Sequence, residues 1–308
     1  MRFAKSEQGA DCYSFCDQSG KRGQCVQLAG SVLLMRSSLL MALFLFGSWS
    51  GSPACAQEAP EPGLQSGPEM TARDIAKEAL NPFAVSFKVP IESVTGFRVG
   101  PDRKTGESVN IEPLLPFAAT PAWNVIVEPL LAMTSLPSPD ATTGFDDIQT
   151  SVFLTPTQTS SWVWGLGPIV ELPTASDEEL GTGKWSAGPT GAVVYSNGPW
   201  LNGVLASHLA SFAGDQHRAP VSLTSVEPQV SYTFENGWSV QTSPTICYDR
   251  TADAWTIPLG ADVGSAFTVG SQAMSVLVGA YDLVKRPSGA PASIVRVQLT
   301  VIFPSPER

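Results

Sequence analysis

Seven ionisable residues recur on the polar side of an alternating pattern: Lys88, Glu92, Glu112, Glu128, Glu171, Glu227 and Arg296. Gathered around a passage, five carboxylates against two bases would bias which sign of solute enters. Paired across an interior, the same groups would make a hydrated, cross-bonded filling. Glu112 and Glu227 each precede a proline, which reads as a repeated backbone geometry rather than as a catalytic pair. No His, Cys and carboxylate cluster has the spacing of a metal site.

The two histidines offer little acid–base chemistry. His208 shares a strand face with Asn202, but the residues after it are Leu209-Ala210-Ser211-Phe212. A lipid hydrolase of the His-x-Ser-Asn-Gly kind needs a nucleophile beside the base and a third group that orients it. His208 therefore reads as a polar residue of a lumen or rim, and His217 as a solvated loop residue. Gly181-x-Gly183 precedes a strand and lacks Gly-Lys-Ser/Thr, which excludes a phosphate loop. The chain is expected to be no enzyme, with no catalytic, cofactor-binding or metal-binding residues and no cofactor.

The elements that must position the seven residues are strands. Alternation with period two is clearest over 238–249, where Trp238, Val240, Thr242, Pro244, Ile246 and Tyr248 oppose Ser239, Gln241, Ser243, Thr245, Cys247 and Asp249. Twelve such segments follow one another: 83–94, 108–118, 123–134, 145–155, 162–173, 185–196, 200–212, 222–234, 238–249, 254–267, 273–284 and 293–303. Most are longer than the about 5–6 residues of an ordinary strand and match the about 9–11 that a tilted strand needs to cross a bilayer. Connections after even segments are short, and those after odd segments are mostly longer and charged, the asymmetry of outer-membrane barrels. Trp123, Trp162, Trp200 and Trp238 open odd segments, with Phe117, Phe234, Phe267 and Phe303 at the same rim. Trp185, Trp255 and Phe145 mark the opposite rim. A charge on the apolar face would be costly in lipid, so the seven ionisable residues are assigned to a lumen.

Composition agrees. Of 308 residues, 43% are apolar and only 15% charged, and the formal charge is −10. An acidic balance excludes a nucleic-acid partner, which would need a basic face. No stretch after residue 56 has 18 apolar residues in a row, so a mature transmembrane helix is excluded. Arg36, the apolar run Leu39–Phe46 and Ala54-Cys55-Ala56 form a signal peptide with cleavage after Ala56. The chain is expected to divide into a non-native upstream extension (1–34), with translation starting at Met35, a signal peptide (35–56), a linker with a short helix (57–82) and a barrel (83–304). Thr71 with Asp74 three residues on predicts the helix N-cap, and Asn81-Pro82 its stop. Cleavage removes five of 18 bases and three of 28 acids, leaving 13 and 25, a net −12.

Leu180-Gly181-Thr182-Gly183-Lys184-Trp185-Ser186-Ala187-Gly188-Pro189 is flanked by Leu172-Pro173-Thr174-Ala175 and Gly198-Pro199-Trp200. Downstream stand Glu227-Pro228-Gln229-Val230-Ser231-Tyr232, Trp255-Thr256-Ile257-Pro258-Leu259-Gly260 and Val301-Ile302-Phe303-Pro304. Upstream stand Ala79-Leu80-Asn81-Pro82 and Ile111-Glu112-Pro113. In order and spacing these resemble the bacterial outer-membrane family named for a MetA-pathway of phenol degradation, whose members are labelled transporter or neuromedin U. The resemblance runs from about residue 75 to 304. It implies an outer-membrane barrel in a Gram-negative bacterium, with membrane lipid and the barrel-assembly machinery as partners and a small hydrophobic or aromatic solute as cargo. The fold expected is all-β: a transmembrane antiparallel up-and-down barrel of twelve strands with a short N-terminal helix. The function expected is a transporter or channel. The alternative is a surface barrel that transports nothing and has a structural or lipid-modifying role.

Overall fold

The computed structural model describes residues 70–84, 86–137, 141–157 and 160–303. The upstream extension, the signal peptide, most of the linker and position 304 lie outside the described residues. The chain begins with helix α1 (Ala72–Leu80) and continues as β1 (Phe87–Val99), β2 (Lys104–Ile111), β3 (Leu115–Thr120), β4 (Trp123–Leu136), β5 (Thr142–Phe145), β6 (Ile148–Pro156), β7 (Trp162–Leu172) and β8 (Lys184–Asn197). Next come β9 (Trp200–Gly214), β10 (Ser222–Thr233), β11 (Trp238–Thr242), β12 (Ile246–Asp249), β13 (Ala254–Val269), β14 (Gln272–Lys285) and β15 (Ser293–Phe303).

Three pairs of strands, β2 with β3, β5 with β6 and β11 with β12, are single staves interrupted at Glu112–Leu114, Asp146–Asp147 and Ser243–Thr245. The prolines at 113 and 244 lack an N–H to donate to the ladder, which accounts for two of the breaks. The staves therefore number twelve. Each pairs antiparallel with its neighbours, and the ring closes where β1 meets β15, from Phe87 opposite Phe303 to Phe97 opposite Ser293. The first loop is tighter than the sequence predicts. β1 and β2 run on through 95–107, leaving Gly100–Arg103 as the turn.

Burial inverts the pattern of a water-soluble protein. Ser231, Thr233, Thr300 and Asp262 are almost fully buried, whereas Leu166, Val284, Leu259 and Val278 are half or more exposed. Along β15 the outward residues are Val295, Val297, Leu299 and Val301, and Arg296, Gln298 and Thr300 point inward. An apolar exterior around a hydrogen-bonded interior is the arrangement that hydrocarbon selects, because every backbone group of a closed ring is paired within the ring.

Aromatic residues mark the two edges of this exterior. At the short-turn end Trp123 packs on Trp164, Trp162 on Tyr195, and Tyr232 on both Trp200 and Phe234. Tyr248 packs on Trp255 at the long-loop end, with Lys285 5.7 Å from the Trp255 ring centre. On β8, Trp185 and Tyr195 share the outer face ten residues apart. At about 3.4 Å per residue and a tilt near 40° they are separated by about 26 Å along the axis, the height of an apolar band across a bilayer.

Helix α1 lies within the short-turn end. Thr71 caps it: its hydroxyl accepts from the N–H of Asp74 at 3.2 Å, and the Asp74 carboxylate accepts from the Thr71 N–H in return. Its apolar face, Ile75, Ala76 and Ala79, packs on the inward residues Ala266, Ala273 and Ile302.

Candidate functional site: a polar chamber above a helical plug

The lumen is apolar at the short-turn end and polar at mid-height. Inward residues Leu114, Ile126, Phe153, Ala192, Val194 and Leu201 form a socket that Phe83 fills. The Phe83 and Phe153 rings meet edge to face at 5.8 Å. Gly165 opposite has no side chain, and a Cβ there would come within 2.5 Å of the Phe83 ring. The plug is held at both ends. Arg73 pairs with Glu235 at 3.7 Å, and Lys77 donates to the Gly198 carbonyl at 2.9 Å. Farther in, Lys88 donates to the carbonyls of Glu78, Ala79 and Asn81 at 3.4, 3.0 and 2.7 Å, and Gln229 donates to that of Leu80 at 3.0 Å. A cation on the last carbonyls of a helix also suits the helix dipole.

Directly beyond Leu80 lie two cavities. One, of about 180 Å³, is bordered by Glu92, Glu112, Glu227 and Arg296 with Asn110, Gln229, Gln241, Ser243, Thr245 and Gln298. The other, of about 160 Å³, is bordered by Lys88, Glu112, Glu128 and Glu227, with Leu80 and Pro82 as its floor. They share Glu112, Glu227, Gln229 and Gln298 as a common wall. The structure thus brings six of the seven sequence-derived residues around one pair of chambers. Glu171 stands apart, in a different cluster.

That cluster ties a loop to the wall. Glu171, 1% exposed, accepts from Thr182 Oγ1 at 3.2 Å and Ser186 Oγ at 3.3 Å. Asp147 accepts from the Thr182 N–H at 2.6 Å, Thr182 Oγ1 at 2.9 Å and the Ala175 N–H at 2.9 Å. A Cβ at Gly181 would fall 2.7 Å from Asp147 Oδ1, so this loop packs only with glycine there. The Gly181–Lys184 part of the resemblance motif therefore has a structural use, which is to pin the loop over 173–183.

The Arg296 side chain is fixed by a network with Asp262, Tyr281 and Ser243, of which Asp262 is not among the seven residues assigned from the sequence. Asp262, fully buried, accepts from Arg296 Nε and Nη2 at 2.6 Å each and from the Tyr281 hydroxyl at 2.6 Å. Arg296 Nη2 also donates to Ser243 Oγ at 2.7 Å, and its Nη1 lies 3.8 Å from Glu92. The guanidinium lies 4.8 Å from the Tyr281 ring centre. The signal was present: Asp262 falls on the inward phase of β13, between outward Ala261 and Val263.

Two expectations differ from the structure. His208 faces outward with Asn202, on the same side of β9 as Trp200, Val204 and Phe212, and its Nδ1 is 2.9 Å from Thr224 Oγ1. It does not line the lumen, because the β9 phase is set by its aromatic and branched residues, not by the histidine. Glu112 and Glu227 also do not share a backbone geometry. Glu112 lies in the break between β2 and β3, whereas Glu227 lies within unbroken β10.

No protein-family model matches the chain, and no curated protein matches it. Among solved structures, it is similar to an outer-membrane channel from Pseudomonas putida F1, with a TM-score of 0.52 and 14% identity over 71% of this chain and 96% of that one. It also aligns with the NanC porin, with a TM-score of 0.46 and 9% identity over 71% and 99% of the two chains. Outer membrane phospholipase A from Escherichia coli aligns with a TM-score of 0.37 and 11% identity over 70% and 96%. At such identities the first likeness shows a shared fold, a closed antiparallel β-barrel.

Proposed function

We propose that this chain is an outer-membrane channel of a Gram-negative bacterium that admits small neutral or cationic solutes and is closed at its short-turn end by α1 and Phe83. The observation that carries this reading is the pair of adjoining chambers at mid-height, bordered by four glutamates against Lys88 and Arg296. Fixed charge in a narrow passage of low dielectric biases which sign enters. The family resemblance adds small aromatic compounds as cargo, and an acidic chamber suits neutral members of that class better than anionic ones.

Reversal potentials across a salt gradient test the reading. Wild type should prefer cations, and Glu112→Gln, Glu128→Gln and Glu227→Gln together should weaken that preference while the barrel stays folded. Current with unchanged selectivity in the triple variant would remove these carboxylates from the path.

The plug favours a second reading, a barrel that carries no current at all. Phe83→Ala separates the two. Losing about 1.5–3 kcal/mol of buried apolar contact should raise the displaced fraction of the plug about 10- to 100-fold. Single-channel open probability should rise accordingly. A folded Phe83→Ala protein that stays silent in a bilayer would favour the non-transporting barrel.

A further inference from the structure

We infer that the long-loop rim carries a binding site for a phosphate group, built from Arg98, Arg103 and Arg286. A hollow of about 380 Å³ opens between the β1–β2 turn and the β14–β15 loop, and its border holds these three arginines and no carboxylate. The two loops are stitched together, with the Gly100 N–H donating to the Gly289 carbonyl at 2.9 Å and the Ala292 N–H to that of Phe97 at 2.8 Å. The walls of the hollow are therefore held in place without any ligand.

The charges here are set out unlike those elsewhere. The chain is acidic, and most of its other described bases are engaged. Arg73, Lys104, Arg218 and Arg296 pair with carboxylates. Lys77, Lys88 and Lys184 donate to carbonyls. Among the described residues no carboxylate pairs with any of the three rim arginines, and the neighbouring Asp102 is taken up by Lys104 at 3.5 Å. Arg286 donates through Nη1 to the Ala290 carbonyl at 2.8 Å, which fixes its head over the loop. Among the described residues, Arg98 and Arg103 are also two of the three non-glycine residues with positive φ, at 61° and 54°.

Three guanidiniums around a hollow without a carboxylate repel one another until an anion enters. A phosphate group carries close to two charges and several acceptor oxygens, which guanidinium forks bind in parallel pairs. A carboxylate, with one charge and two oxygens, would leave part of the site unmatched. The phosphate could be free or the head of a phosphorylated glycolipid. Exposed Phe97 and Val284 on the same strands place the apolar exterior next to the hollow, as a lipid headgroup requires. The lipid source rests on the membrane reading above, whereas the free-phosphate source does not.

The test uses the full processed protein, purified in phosphate-free detergent. One arm titrates labelled inorganic phosphate. The other follows, by native mass spectrometry, retention of lipid A with and without its phosphates. Arg98→Gln, Arg103→Gln and Arg286→Gln together should weaken the bound species about tenfold or more, and Arg286→Gln alone, in an ordinary backbone conformation, should give a smaller loss. Lys285→Gln, whose cation rests on Trp255, should change nothing. Saturable phosphate binding identifies the free anion, and retention of phosphorylated lipid A alone identifies the headgroup. Binding of neither overturns the site. An equal loss from Lys285→Gln overturns it too, because that would show a diffuse basic rim. A channel that fails to conduct bears on the pore reading and leaves this test intact.

Discussion

Arg296→Leu should destabilise the folded barrel by about 3–5 kcal/mol, the largest effect expected of any single lumen substitution. The cost comes from what is left behind. Asp262 has no exposed surface and takes two of its hydrogen bonds from Arg296. Without the guanidinium, a buried carboxylate keeps only the Tyr281 hydroxyl. Neutralising both partners avoids that orphaned charge. Arg296→Gln combined with Asp262→Asn should therefore be less destabilising than the sum of the two single changes, by about 0.5–3 kcal/mol. Denaturant unfolding followed by tryptophan fluorescence in lipid vesicles gives all four values. Strict additivity would mean that Arg296 and Asp262 are held by other groups and that the network is incidental.

The second large effect concerns neighbours on one strand. Val297, 40% exposed, faces outward opposite Val278, while Gln298 faces inward and borders both cavities. Val297→Arg should cost about 2–4 kcal/mol or block membrane assembly, because a base near the bilayer centre must leave water. Gln298→Arg enters a hydrated, acidic chamber and should cost less than about 1 kcal/mol. Folded yield in membranes separates the two. Equal losses would show that β15 does not divide lipid from lumen.

Much of this was legible in the sequence because barrel strands announce their two faces residue by residue. Val295, Val297, Leu299 and Val301 against Arg296, Gln298 and Thr300 give both the element and its phase. The same rule placed Glu92, Glu112, Glu128 and Glu227 together without any knowledge of pairing. It failed where inward residues are apolar. Leu114, Ile126, Phe153 and Leu201 break the expectation of a polar lumen, and their purpose shows only once Phe83 is folded in among them. A plug is a contact between distant segments, and periodicity within a strand carries no trace of it. His208 failed for the opposite reason. A single polar side chain does not make a polar face, and Trp200, Val204 and Phe212 fix that face as outward.

The seam between β1 and β15 sets the order of events in time. Phe87 and Phe303, the partners that close the ring, are separated by most of the folded chain. Loop closure over such a distance is slow, and no amount of local hairpin formation substitutes for it. Until the final strand docks, β1 presents a row of unpaired N–H and C=O groups to any other strand nearby. The last eleven residues of the barrel, Ser293–Phe303, therefore decide whether the nascent sheet becomes a sealed cylinder or an adhesive ribbon, and the interval before they dock is when the chain is most open to aggregation.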